Sequence, residues 1–173
     1  HVGDGRNFVR SSPRRYDVIQ ISMIDTFAAT AAGAYSLAEN NLYTLEAFEE
    51  YLDRLEPGGV LCVNRFFLEP PRQTLRVVAI ALEALRRRGI ADARGHLFVA
   101  RQQHRLGDNG VVLVKAEPVG HLETEAAQEW CDSLGFACIY TPGDAGSKGV
   151  FPDLICATDR AGNSATSAPD SCR

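Results

Sequence analysis

Leu55-Glu56-Pro57-Gly58-Gly59-Val60-Leu61-Cys62-Val63 is a stretch in which a helix ends, the chain turns and a strand begins. Upstream, Leu45, Phe48, Leu52 and Leu55 recur at helical spacing behind Thr44, whose hydroxyl suits an N-cap. Glu56-Pro57-Gly58-Gly59 stops that helix, and Val60 to Val63 is a short apolar run of strand type. Further upstream, Tyr16 to Ile21 (YDVIQI) reads as another largely buried strand. Downstream, Pro70-Pro71 opens a helix with the apolar stripe Leu75, Val78, Leu82 and Leu85, closed by Gly89 at C′. Strand, helix, strand, helix predicts βαβ units and an α/β fold with a mostly parallel sheet.

The pattern then changes. His96 to Arg101 and Val111 to Ala116 are strand-like runs joined by the turn-rich Leu106-Gly107-Asp108-Asn109-Gly110, which predicts an antiparallel hairpin at the sheet's edge. Thr124 is a candidate cap for one more helix, ending at Gly135, and Phe136 to Tyr140 follows as a short strand. Residues 142–149 read as loop, and residues 159–173 hold too little apolar surface to order. The expected divisions are 1–118 for the α/β domain, 119–158 for a helix-strand appendage and 159–173 for a loose tail.

The chain has 173 residues, 45% of them hydrophobic and 23% charged, which excludes collagen-like, coiled-coil and wholly disordered classes. Its net charge of −4 gives no electrostatic footprint for nucleic acid. Arg86-Arg87-Arg88 falls in the last turn of a predicted helix, where cations offset the dipole. The apolar run from Val77 to Leu85 is too short to span a membrane, so no membrane contact is expected from these residues. Cys62, Cys131, Cys138, Cys156 and Cys172 form no C-x-x-C pair, and reduced thiols in a cytoplasmic protein are the expectation. His1, His96, His104 and His121 lack metal-ligand spacing, so no metal is expected.

Ligands of open α/β sheets bind beyond the carboxyl ends of the strands. Asp4-Gly5-Arg6, Ser22 to Asp25, and Asn64-Arg65-Phe66 occupy such positions. Asp4 can accept from an exocyclic amine while Gly5 lets a flat ring approach, or the pair is a simple turn. Asp25 can hold or deprotonate an amine, or it is a cap or a solvated loop residue. Asn64 and Arg65 read as strand-end surface. The long connection over residues 22–41 has the length of a binding loop.

Asp4-Gly5-Arg6-Asn7-Phe8-Val9, Tyr16-Asp17-Val18-Ile19 and Leu55-Glu56-Pro57-Gly58-Gly59-Val60-Leu61 share the order and spacing of class I S-adenosylmethionine-dependent methyltransferases. Within that superfamily the chain most resembles the spermidine synthase group of polyamine aminopropyltransferases, over roughly residues 1–116. The resemblance implies a Rossmann-like sheet of seven strands whose last strand is inserted antiparallel. It implies that His1-Val2 ends the third strand, so that the first two strands, the glycine-rich loop and the acidic residue for the cofactor ribose would precede this sequence. The chain is therefore expected to begin inside a domain, to bind either donor weakly by itself, and to expose an unpaired apolar edge that pairs with another chain, a homo-oligomer included.

The resemblance further implies S-adenosylmethionine or its decarboxylated form as cofactor, with Asp4 at the adenine amino group and Gly5 and Arg6 beside it. The acceptor would be a small-molecule amine or another nucleophile, with Asp25 and Ser22 as catalytic candidates and Tyr35 and Tyr43 as pocket walls. Aminopropyltransferases carry two acidic residues, in a D-x-x-D pattern, where this chain has Ser22 and Asp25. A hydroxyl in place of the first carboxylate is a weaker base. Methyl transfer on the same fold and a non-catalytic cofactor-binding module are the rival expectations.

Overall fold

The computed structural model describes residues 4–22, 41–105, 107–143 and 149–162. Helix α1 (Gly5–Ser11) leads into strand β1 (Tyr16–Ser22), helix α2 (Leu45–Asp53) and strand β2 (Leu55–Phe66). Helix α3 (Arg72–Arg87) and a single 3₁₀ turn (Arg94–His96) precede strands β3 (Leu97–Gln102) and β4 (Asn109–Lys115). Helix α4 (His121–Leu134), strand β5 (Phe136–Tyr140) and helix α5 (Val150–Gly162) complete the described residues.

The sheet has five strands in the order β1-β2-β4-β3-β5. Among the described residues only β1 and β2 pair in parallel; β2–β4, β4–β3 and β3–β5 are all antiparallel. The fold is α/β as expected, but the expected mostly parallel sheet is corrected to a mixed one. The physical reason lies in the connections. The short β3–β4 turn can only reverse the chain, and β4 enters between β2 and β3, two strands of common direction. On its far edge β3 then meets β5, also antiparallel.

Helix ends follow local chemistry. Thr44 caps α2, its hydroxyl accepting from the Ala47 N–H at 3.2 Å. Gly89 takes a left-handed φ of 85° just past α3, where a residue with a Cβ would be strained. Helix α4 begins three residues before the predicted cap: Gly120 is its N-cap, and Glu123 accepts from the Gly120 N–H at 2.8 Å. Thr124 instead lies in the first turn, its hydroxyl donating to the Gly120 carbonyl at 3.0 Å.

One face of the sheet packs against α2, α3 and α5. Phe48, Tyr51 and Leu52 of α2, Val78, Leu82 and Leu85 of α3, and Phe151 and Ile155 of α5 share a core with Ile19, Leu61, Val63, Val99 and Val112. Strand β5, which follows the helix α4, joins the same sheet, and its Tyr140 reaches this core. Helix α5 also runs to Gly162, into the stretch expected to be a loose tail. On the opposite face, α4 covers Phe98 and Ala100 through Cys131, with Val111, Leu113, Ala127 and Phe136 packed around them.

Strand β2 departs from its predicted start at Val60. It pairs from Leu55, spending five residue steps to Val60 where β1 advances two, from Tyr16 to Val18. The extra residues bulge at Glu56-Pro57-Gly58-Gly59. Gly58 takes a φ of 78° there. A Cβ on Gly59 would lie 2.9 Å from the carbonyl oxygens of both Glu56 and Tyr16. That close approach explains the glycine.

Among the described residues no helix is long and apolar enough to cross a membrane. Cys62, Cys131 and Cys138 are free thiols, as expected.

Candidate functional site

The parallel pairing of β1 and β2 brings their carboxyl ends together, with Ser22 opposite Asn64. The Cys62 thiol donates to Asn64 Oδ1 at 3.5 Å on that face of the strand. Strand alternation sends the next residue, Arg65, to the other face. Its guanidinium carbon lies 4.3 Å above the centroid of the Tyr43 ring. A cation over a phenol ring is attracted to the face of the π-system, by about 0.5–2 kcal/mol depending on desolvation.

Asp4 caps α1. Its Oδ1 accepts from the Asn7 N–H at 2.8 Å, and its backbone carbonyl accepts from the Phe8 N–H at 3.0 Å. Asp4 is exposed, and a Cβ on Gly5 would meet nothing within 4 Å. Among the described residues, nothing therefore crowds the backbone at Gly5. Arg6 turns the other way: its Nε and Nη2 donate to Glu50 Oε2 and Oε1 at 2.9 and 3.0 Å. Its Nη1 reaches the Asn41 carbonyl at 3.0 Å and Thr44 Oγ1 at 3.4 Å.

This clamp sets the electrostatics. The hydrogen bond from Arg6 holds the Glu50 carboxyl below its usual range, against an opposing contribution from burial. Tyr51, buried beneath, donates to the Leu42 carbonyl at 3.4 Å. Burial pushes its phenol up; Arg6 opposes this, while Glu50, Asp4 and Tyr43 add to it. Arg6 bonds to the Asn41 carbonyl and Thr44 Oγ1, which lie on either side of Tyr43 in the chain.

Further polar groups gather where β2 meets α3 and β4. The Arg101 guanidinium lies 4.8 Å over the Phe67 ring and pairs with Glu69 at 3.0 Å and with Asp108. Phe67 in turn stacks on Phe151 at 5.9 Å. Gln73 Oε1 and Thr74 Oγ1 are buried without a hydrogen-bond partner among the described residues.

Of the residues singled out in the sequence, Asp4, Gly5 and Arg6 stand at the start of α1, and Arg6 bonds to residues on either side of Tyr43 in the chain. Ser22 stands at the adjoining strand end, and among the described residues no hydrogen bond or ion pair joins it to that group. Asp25 and Tyr35 lie outside the described residues. Sequence reasoning missed Glu50 as the partner of Arg6, a pairing across 44 positions that no local pattern signals. It also passed over Arg65 as surface, although its place one residue beyond the apolar VLCV run and Asn64 was visible. No family model matches the chain, and no curated protein matches it.

Proposed function

We propose that the chain belongs to a group transferase that uses S-adenosylmethionine or its decarboxylated form and an amine acceptor. The observation that carries this reading is the antiparallel strand β4, inserted between β2 and β3 at the end of an α/β succession. The resemblance to spermidine synthases and their methyltransferase relatives implies an antiparallel strand inserted in this way. In that arrangement the inserted strand is the last of the sheet, whereas here β5 follows on the far edge of β3. Two features of the candidate site fit the cofactor. Asp4 is exposed with an acceptor carboxylate, and among the described residues nothing crowds the backbone at Gly5, where a flat ring would lie.

When bound, such a donor supplies an electrophilic carbon attached to a sulfonium. The residues of this chain would align the acceptor for in-line displacement and exclude water. The acceptor nitrogen forms the new C–N bond, and the C–S electron pair leaves with sulfur as a neutral thioether. The proton released from nitrogen passes to a base, for which Asp25 is the proposed residue. Ser22, at the carboxyl end of β1, would hold the amine by a hydrogen bond, and Tyr43, with Tyr35, would wall the pocket.

Methyl transfer is the second reading, and one observation favours it over aminopropyl transfer. Ser22 stands where the resemblance calls for a carboxylate. The test incubates protein expressed from the complete coding sequence with putrescine and each donor in turn, and identifies products by mass spectrometry. Aminopropylated product supports the first reading, methylated product the second. Donor binding without turnover refutes both and leaves the non-catalytic cofactor-binding module, and absent binding refutes all three.

A further inference from the structure

The face of the sheet covered by α4 holds two thiols that the candidate site does not use. Cys131, in the last turns of α4, is fully buried and packs with Phe98 and Ala100. Cys138, on β5, pairs in register with Ala100. Directly paired residues project to the same side of a sheet, so the Cys138 side chain projects to the face that α4 and Cys131 occupy. Both thiols are free, but their surroundings differ: Cys131 is wholly enclosed and Cys138 is exposed.

We propose that Cys131 and Cys138 are a reversible thiol–disulfide pair that fastens α4 to β5 when the protein meets a small disulfide oxidant such as oxidised glutathione. The exposed partner reacts first. The Cys138 thiolate attacks one sulfur of the oxidant, the S–S bond breaks, and one glutathione thiolate departs and takes up a proton. Cys131 then loses its proton and attacks the Cys138 sulfur of the mixed disulfide, expelling the second glutathione. Two protein thiols are oxidised by two electrons, and one oxidised glutathione is reduced to two thiols.

The order of events follows from burial. Enclosure pushes the Cys131 thiol up to about 12, with the adjacent Cys138 adding to the effect and Asp132 contributing further. A thiol held protonated is a poor first nucleophile. Once Cys138 carries glutathione, the attack is intramolecular and needs no encounter. The short connection from Asp132 to Ala137, with Gly135 in a left-handed turn at φ 69°, keeps helix and strand side by side.

The experiment equilibrates the protein in buffers of varied oxidised-to-reduced glutathione ratio, quenches with acid, and maps peptides by mass spectrometry. The wild-type protein is expected to yield a linked Cys131–Cys138 peptide pair that reverts on reduction. Cys131→Ala should stop at a glutathione adduct on Cys138, and Cys138→Ser should show neither adduct nor link at these positions. Cys131→Ser serves as a second variant should the alanine fail to fold. A wild-type protein that halts at the Cys138 adduct, stays unmodified at both positions, or links either residue to Cys62 overturns the proposal.

Discussion

Arg6 grips Glu50 through both carboxylate oxygens, at 2.9 and 3.0 Å, and so ties the seven-residue helix α1 to the face of α2. The two side chains retain only 18% and 24% exposure, so solvent screens the pair incompletely. Glu50→Gln is expected to cost about 1 kcal/mol near neutral pH, the scale of a charge-assisted bond at a partly buried site. The folded-state pKa of Glu50 lies below its ordinary value of 4.5. The contribution is therefore complete above that value and disappears as pH falls through the lower folded-state value. Thermal melts of both proteins from pH 7 to pH 3 should converge at the acid end. A constant gap would show that charge is not the origin.

Asp4 allows capping and ligand contact to be separated. Serine caps a helix about as well as aspartate, but it is shorter and uncharged. Asp4→Ser should leave the melting temperature nearly unchanged. Under the proposed function it should weaken donor binding by roughly ten- to a hundredfold, the value of a lost charge-assisted hydrogen bond. Equilibrium dialysis with labelled donor measures this. Unchanged affinity would confine Asp4 to its capping role.

Glycines 59 and 110 are both crowded, by different neighbours. A Cβ on Gly110 would sit 2.7 Å from Thr74 Oγ1 and 3.0 Å from Phe67 Cδ2. Thr74 is fully buried and branched at Cβ, so it yields little. Gly110→Ala should cost about 1–3 kcal/mol, typical of overpacking, and adding Thr74→Ala should recover part of it. Gly59→Ala faces backbone carbonyls that no side-chain change can remove. Its loss should resist any second-site rescue, as denaturant titration of the single and double variants would report.

Lys115 is buried and donates to Glu123 Oε1 at 2.5 Å, while the other carboxylate oxygen caps α4 at Gly120. The Lys115 hydrogen bond is the leading cause of the lowered Glu123 pKa. Glu123→Ala strands a buried ammonium and uncaps the helix, for an expected cost of about 1–3 kcal/mol. Lys115→Met removes the charge that needs a partner and should cost less. A larger loss for the methionine variant in chemical unfolding would contradict this ranking.

The elements legible in the sequence are those whose signals are local. Thr44 and the stripe from Leu45 to Leu52 announce α2, Pro71 and Gly89 bracket α3, and Gly107 with Gly110 marks the β3–β4 turn region. The parallel sheet was overread because helical crossovers predict direction only between the strands they join, and β4 and β5 approach β3 from either side. Helix α5 escaped notice because its apolar positions acquire meaning only from Phe67 and the α3 surface. Of the candidate site, the local turn at Asp4-Gly5 was legible, but the partner that holds Arg6 is Glu50, and no spacing rule connects a turn to a helix 44 positions away.

The swelling of β2 at Glu56-Pro57-Gly58-Gly59 also makes it a slack joint between α2 and the sheet. The pairing beyond Val60 is anchored independently, by β1 on one side and β4 on the other. A residue added between the exposed Pro57 and Gly58 would be taken up as loop, leaving Asn64 opposite Ser22 and Arg65 over Tyr43. The same residue added after Leu61 would invert every later side chain, turning Val63 outward and Asn64 into the core. Changes in chain length are thus cheap on one side of Gly59 and ruinous on the other.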